Sequence, residues 1–164
     1  MASLKYGCLH PTPTTKEYPV AASQFFYHNG VNAVYLDSSG HLLLALTATA
    51  TILGIAIVPK GRGAGISDLY WKSSATAGKD KIPVIAVGEG YTFLFPAETT
   101  ITAAMKGNAC NLIAVNDGTA TTINTALSTT DIFIIQDLGT NVKADAVATD
   151  AVVKINPAKV QADT

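Results

Sequence analysis

Residues 42–58 read LLLALTATATILGIAIV, seventeen consecutive residues without a charge. Their periodicity decides the fold class. A helix that crosses a bilayer needs about 20 apolar residues, and this run falls short. Thr47, Thr49 and Thr51 alternate with Ala48 and Ala50, a period of two that suits an extended strand and not a 3.6-residue turn. Gly54 then interrupts a β-branched run. The stretch predicts two strands joined across the Thr/Ala segment, and no membrane span.

The composition of the rest agrees. The 164 residues include 25 Ala and 20 Thr but only 3 Glu and 1 Arg. Helix surfaces draw on Glu, Lys, Arg and Gln, whereas Thr, Val, Ile and Tyr fit a pleated, half-buried surface. Charged residues make up 14%, against about 25% in ordinary soluble domains. With 48% hydrophobic residues and a mean hydropathy of +0.29, intrinsic disorder is excluded. The same excess of apolar surface predicts a homo-oligomer. A net charge of −1 and a pI near 6.2 give no overall attraction to nucleic acid or to an anionic membrane.

Outward from the central run, strand patterns recur at residues 19–26 and 31–36, with His28-Asn29-Gly30-Val31 between them as a hairpin turn. They return at 82–88, 91–95, 100–104, 111–115, 123–126, 131–137 and 152–155, with a turn at Asp117-Gly118. Short strands with frequent turn signals indicate a sandwich or a barrel. Residues 1–18 carry Pro11 and Pro13 among threonines, a segment that cannot be a helix interior and reads as a mobile arm. Residues 59–81 lack a clean period and hold five Lys/Arg against two Asp, with Gly61, Gly63 and Gly65. A loop of that length without structure of its own is uncommon unless functional or mobile. Residues 140–150 are open between a loop and a short helix. The expected architecture is mostly β: a single β-sandwich or β-barrel-like domain over 19–157, with an extended N-terminal arm (1–18), a long basic Gly-rich loop (59–81) and a polar tail (158–164).

Motifs with chemistry are thin. Residues 1–8 contain no apolar core of the kind that makes a secretory signal. Cys8 and Cys110 are isolated and read as small hydrophobes, not as a disulfide. Lys60-Gly-Arg-Gly-Ala-Gly65 lacks the helix and the acidic residue of a dinucleotide site, and Ala77-Gly-Lys-Asp80 has Asp where a P-loop needs a hydroxyl. No Gly-x-Ser-x-Gly elbow occurs. His10, His28 and His41 have no ligand spacing, and Glu89 and Glu98 form no evident catalytic pair. The expectation is a non-enzyme with no catalytic residue, metal or cofactor. Lys60, Arg62, Lys72, Lys79 and Lys81 around Tyr70 and Trp71 form the one basic–aromatic group, but a single Arg argues against nucleic acid as the partner.

The candidate interface residues are therefore Tyr6, Pro11, Pro13 and Tyr18 in the arm and Lys60, Arg62, Tyr70 and Trp71 in the loop. Aromatic anchors dominate binding energy where they dock, with salt-sensitive charges at the rim. Deleting residues 2–18, or Trp71→Ala, is expected on this reading to spare the fold and weaken assembly. Charge also divides along the chain: residues 1–82 hold seven Lys/Arg and four acids, net +3, and residues 83–164 hold four Lys and eight acids, net −4. If the two halves form opposite faces, neighbouring copies could dock head to tail.

Several blocks resemble the small decoration, or cement, proteins of tailed-bacteriophage capsids. They are the Pro/Thr arm, Gly40-His-Leu-Leu-Leu, Ile52-Leu-Gly-Ile-Ala-Ile-Val58, Tyr91-Thr-Phe-Leu-Phe-Pro96, Lys106-Gly-Asn-Ala-Cys-Asn-Leu112, Asn116-Asp-Gly118, Ser128-Thr-Thr-Asp-Ile-Phe-Ile-Ile135 and Val152-Val-Lys-Ile-Asn-Pro-Ala-Lys159. The basic loop at 59–81 departs from the simplest such pattern. The resemblance implies a structural protein on the capsid exterior, assembled in the host cytoplasm, commonly trimeric, with the major capsid protein as partner. Another phage structural subunit (tail, fibre or head-completion) and a free β-sandwich binding module are the alternatives. Whichever holds, far-UV circular dichroism should show a strand-dominated spectrum. A helix content above about a third, the ordinary globular share, would contradict it.

Overall fold

The computed structural model describes residues 7–9, 13–27, 31–58, 70–86, 91–117, 121–125, 131–139 and 147–161. More than half of these lie in strands, and none lies in an α-helix. The strands are β1 (Gly7–Cys8), β2 (Thr15–Pro19), β3 (Phe25–Tyr27), β4 (Asn32–Leu36), β5 (Leu42–Leu44), β6 (Gly54–Ala56), β7 (Tyr70–Lys72), β8 (Lys81–Ala86), β9 (Phe93–Thr102), β10 (Ala109–Ile113), β11 (Thr122–Asn124), β12 (Phe133–Leu138) and β13 (Val147–Ile155).

They form two closed or nearly closed rings and a ribbon. In the first ring the order is β2-β8-β6-β4-β5, antiparallel throughout. A parallel bridge between Val20 and Leu42 joins its ends, with the Ala21 N–H donating to the Leu42 carbonyl at 2.9 Å. In the second ring β9-β11-β10-β12-β13 returns to β9, and only the β9–β11 pairing is parallel. β1 adds to the free part of β9, and β3 pairs with β7 as a separate two-stranded ribbon. Ring closure leaves few open strand edges for unwanted pairing.

The sheet of β4, β6 and β8 belongs to the first ring, and its two faces contribute to different cores. Val34, Ala56 and Val84 belong to the first core with Tyr18, Val20, Leu42, Leu44, Phe26, Trp71 and Ile82. Their immediate neighbours Ala33, Ile55 and Ile85 belong to the second core with Phe93, Phe95, Cys110, Leu112, Ile123, Phe133, Ile135 and Val153. β4, β6 and β8 are thus covered on both faces, which is why their sequences are near-continuous apolar runs. Each fully buried aliphatic or aromatic side chain contributes about 1.5–3 kcal/mol. This double burial absorbs the apolar excess of the composition inside one chain. Among the described residues Leu9, Leu46, Val115 and Val160 are the exposed large hydrophobics. Composition alone therefore no longer requires a second copy.

Several expectations change. Within the supposed mobile arm, residues 15–19 pair along their whole length with β8, from Thr15↔Ile85 to Pro19↔Lys81, and residues 7–8 pair with β9. The boundary at 18/19 cuts through β2, and Tyr18, at 8% exposure, belongs to the core. An edge strand needs only one bonded backbone side, so three exposed residues in Thr15, Lys16 and Glu17 hid it from a periodicity argument. Deleting residues 2–18 would strip strands from both rings and would not spare the fold. The 59–81 loop contains β7 and the first residue of β8, and residues 59–69 lie outside the described set. The patterns at 91–95 and 100–104 are one strand, β9, and the 140–150 segment enters β13 at Val147. The tail is tied at residues 160–161: Val160 bridges Ile52, and the Gln161 amide accepts from Leu36 N–H (2.7 Å) and donates to its carbonyl (2.9 Å).

β3 and β4 do not pair as a hairpin across residues 28–30, which themselves lie outside the described set. Instead the Asn32 side chain serves Tyr27 as a strand would, accepting from its N–H at 2.7 Å and donating to its carbonyl at 2.8 Å.

Trp71 is 5% exposed and stacks on Phe26, ring centroids 5.7 Å apart at 25°. It is a core residue, not an exposed anchor, because in β7 it occupies the inward position opposite Phe26. Trp71→Ala should therefore cost stability, about 3–5 kcal/mol as for other large aromatic-to-alanine changes. Denaturant unfolding checks this; a loss below about 1 kcal/mol would mean the site is not a packed core.

Candidate interaction surface

The ribbon of β3 and β7 sorts its side chains by strand periodicity. The register places Phe25 opposite Lys72, Phe26 opposite Trp71 and Tyr27 opposite Tyr70. Phe26 and Trp71 point to the core, so Phe25, Tyr27, Tyr70 and Lys72 share the other face. The three rings are half-buried and Lys72 is exposed. Phe25 and Tyr70 meet diagonally with centroids 5.4 Å apart, tilted at 59°. The Lys72 ammonium stands 5.0 Å from the Phe25 ring centroid, within cation–π range.

Buried polar groups hold the ribbon in place. The Gln24 N–H donates to Ser73 Oγ and the Ser73 N–H to the Gln24 carbonyl, both at 2.8 Å. Ser73 Oγ donates to the Ala21 carbonyl (2.8 Å), while Gln24 Oε1 accepts from Leu44 N–H (3.0 Å). On the other side, the Phe25 N–H donates to Asn116 Oδ1 at 2.8 Å. That bond sets the ribbon beside Val115, which is 55% exposed. Thr47 pairs with Ala114, its Oγ1 accepting from the Ala114 N–H at 3.1 Å, and so places Leu46, 38% exposed, at the same junction. The ribbon's outer face thus presents three half-buried aromatic rings beside one lysine, a composition that recurs at the centres of protein interfaces.

Of the residues singled out from sequence, Tyr70 lies on this surface and Trp71 beneath it. Pro13 is half-buried between β1 and β2. Tyr18 is in the core with the Lys16 ammonium 5.0 Å from its ring. Tyr6, Pro11, Lys60 and Arg62 lie outside the described residues. With Trp71 turned inward, the basic–aromatic group loses its largest stacking ring. Phe25 and Tyr27 were missed; the signal was an aromatic triplet, Phe25-Phe26-Tyr27, whose partner strand is far away in sequence.

Other titratable groups are dispersed. Among the described residues no three His, Cys, Asp or Glu gather as a metal group. There, too, no helix is long and apolar enough to cross a membrane. Lys106 and Asp137 form an exposed pair at 2.7 Å, and the hydrogen bond from Lys106 holds the Asp137 carboxyl below its usual range. The Tyr91 hydroxyl accepts from Thr14 N–H at 3.0 Å, tying the chain between β1 and β2 to the second ring.

Comparison of the sequence with known protein families found no match, and comparison with curated proteins found none either.

The cysteines are distinguishable chemically. Cys8 is half-buried, whereas Cys110 is fully enclosed and burial pushes its thiol up to about 12. The reactive species is the thiolate, which Cys110 does not form to any useful extent at pH 8. Iodoacetamide at that pH should modify Cys110 only after unfolding; mass spectrometry showing its alkylation in the folded protein would contradict the burial.

Proposed function

We propose that the chain is a structural virion protein that binds the outer surface of a tailed-phage capsid as a homotrimer and clamps neighbouring major capsid subunits. What carries the reading is the resemblance of its blocks to capsid decoration proteins. Those blocks fall on the strands that frame the two cores: β5, β6, β9, β10, β12 and β13. A body of two strand rings with an aromatic face on its ribbon suits a protein whose work is mechanical. Many identical modest contacts on a lattice add up through effective concentration. A free binding module that offers the ribbon face to a soluble partner is the second reading, favoured by the half-exposed rings of Phe25, Tyr27 and Tyr70.

The test is co-sedimentation with capsids assembled from the major capsid protein encoded in the same genome. Saturable binding, together with a higher temperature of capsid disruption, is the expected result. A chain that stays in the supernatant at every concentration overturns the proposal.

A further inference from the structure

We propose that residues 157–161 are a displaceable strap, which opens at Asn156 while both rings stay folded and so gates a strand edge at the seam between them. The strap runs from the second ring to the first. At its root, Asn156 follows β13 and is fixed to the second ring: its N–H donates to the Ile132 carbonyl at 2.8 Å and its Nδ2 to the Asp131 carbonyl at 3.1 Å. The same side chain caps the single 3-10 turn Pro157–Lys159, with Oδ1 accepting from the Ala158 N–H at 3.1 Å. At the tip, the Ile52 N–H donates to the Lys159 carbonyl at 2.9 Å, and the Gln161 N–H donates to the Ile52 carbonyl at 2.7 Å. The Gln161 side-chain amide bonds the N–H and the carbonyl of Leu36.

The edge beneath the strap exists because neighbouring strands stop short of it. Val34 and Leu36, two residues apart in β4, turn their backbone groups to the same side. There the Leu53 N–H donates to the Val34 carbonyl at 2.7 Å, whereas Leu36 is met by the Gln161 side chain. Leu36 belongs to the first core and Ile52, fully buried, to the second. With the strap away, the N–H and carbonyl groups of both residues form an unpaired edge, where an added strand finds ready donors and acceptors.

Burial separates the strap from its root. Pro157, Ala158 and Val160 are exposed, and Lys159 and Gln161 are half-buried. Ile155, the last residue of β13, is buried in the second core. Segments with few buried apolar contacts open locally at a free energy well below that of global unfolding. Opening at Asn156 removes no buried side chain of the strap, and the Ile52 side chain keeps its packing in the second core.

Native-state amide hydrogen exchange of the purified full chain, read residue by residue by NMR, tests the strap. The amides of Leu36, Ile52 and Gln161 should exchange as one group. Relative to intrinsic rates they should be about 100-fold or more faster than Leu53, Ile135 and Asn156, whose N–H groups bond Val34, Asn108 and Ile132. Their rates should be insensitive to low urea, because a local opening exposes little surface. Gln161→Ala should speed exchange at Ile52 about tenfold further, although the Ile52 N–H bonds Lys159 and not the substituted side chain. Leu53, Ile135 and Asn156 should be unmoved. Circular dichroism checks the fold of the variant; should it not fold, the wild-type comparison still decides. Ile52 exchanging as slowly as Leu53 overturns the proposal. So does an Ile52 rate unchanged in a folded Gln161→Ala chain, or Asn156 losing protection together with Gln161, which would carry the opening into β13.

Discussion

The sheet of β4, β6 and β8 is buried on both faces, and the rest of the molecule follows from that constraint. Most residues along these strands serve one core or the other, with Lys81 at the start of β8 standing exposed, so volume is restricted along nearly the whole sheet. Gly54 marks the tightest point: a Cβ there would overlap the carbonyl oxygen of Ile85 on the neighbouring strand. Any larger residue would push β6 away from β8 and open both cores together. A sheet with two dry faces also leaves no room for charge, which accounts for the low charge content of the central run. Low charge, which in isolation suggests a sticky surface, here reflects an interior with two sides.

Irregular junctions around this sheet are satisfied by side chains where backbone partners run out. Asn32 substitutes for a strand beside Tyr27, Gln161 does so beside Leu36, and Gln24 with Ser73 fastens the ribbon to the first ring. Among the described residues no buried side-chain nitrogen or oxygen lacks a hydrogen-bond partner. A buried amide left unpaired costs about 1–3 kcal/mol, so each of these links also discriminates against a shifted register. The ribbon's position, and with it the direction of its outer face, depends on these few polar contacts.

That placement gives the fold its functional asymmetry. The ribbon hides one aromatic pair and presents three other rings beside a lysine. The second ring exposes Glu98, Thr99 and Thr100 where β9 bulges against β13. The two rings are joined where Ala33, Ile55 and Ile85 on the outer face of the first ring's sheet pack into the core of the second. The N-terminal segment contributes to that junction, since β1 joins the second ring and β2 the first.

Local chemistry in the sequence was enough to determine that the chain is a β protein. Alternation at Thr47, Thr49 and Thr51, the interruption at Gly54, and the scarcity of Glu and Arg are visible without knowing any partner. The charge division between the halves was visible too. What the sequence left undecided was which strand pairs with which, because a backbone hydrogen bond is blind to residue identity and its partner is remote. Residues 19–26 looked like one side of a hairpin with residues 31–36, yet the partner of Phe25–Tyr27 is Tyr70–Lys72. The same ambiguity turned Tyr18 and Trp71 from surface anchors into core. Alternation tells that two faces differ, but only the packed structure decides which of them is covered, since burial belongs to the neighbours and not to the residue.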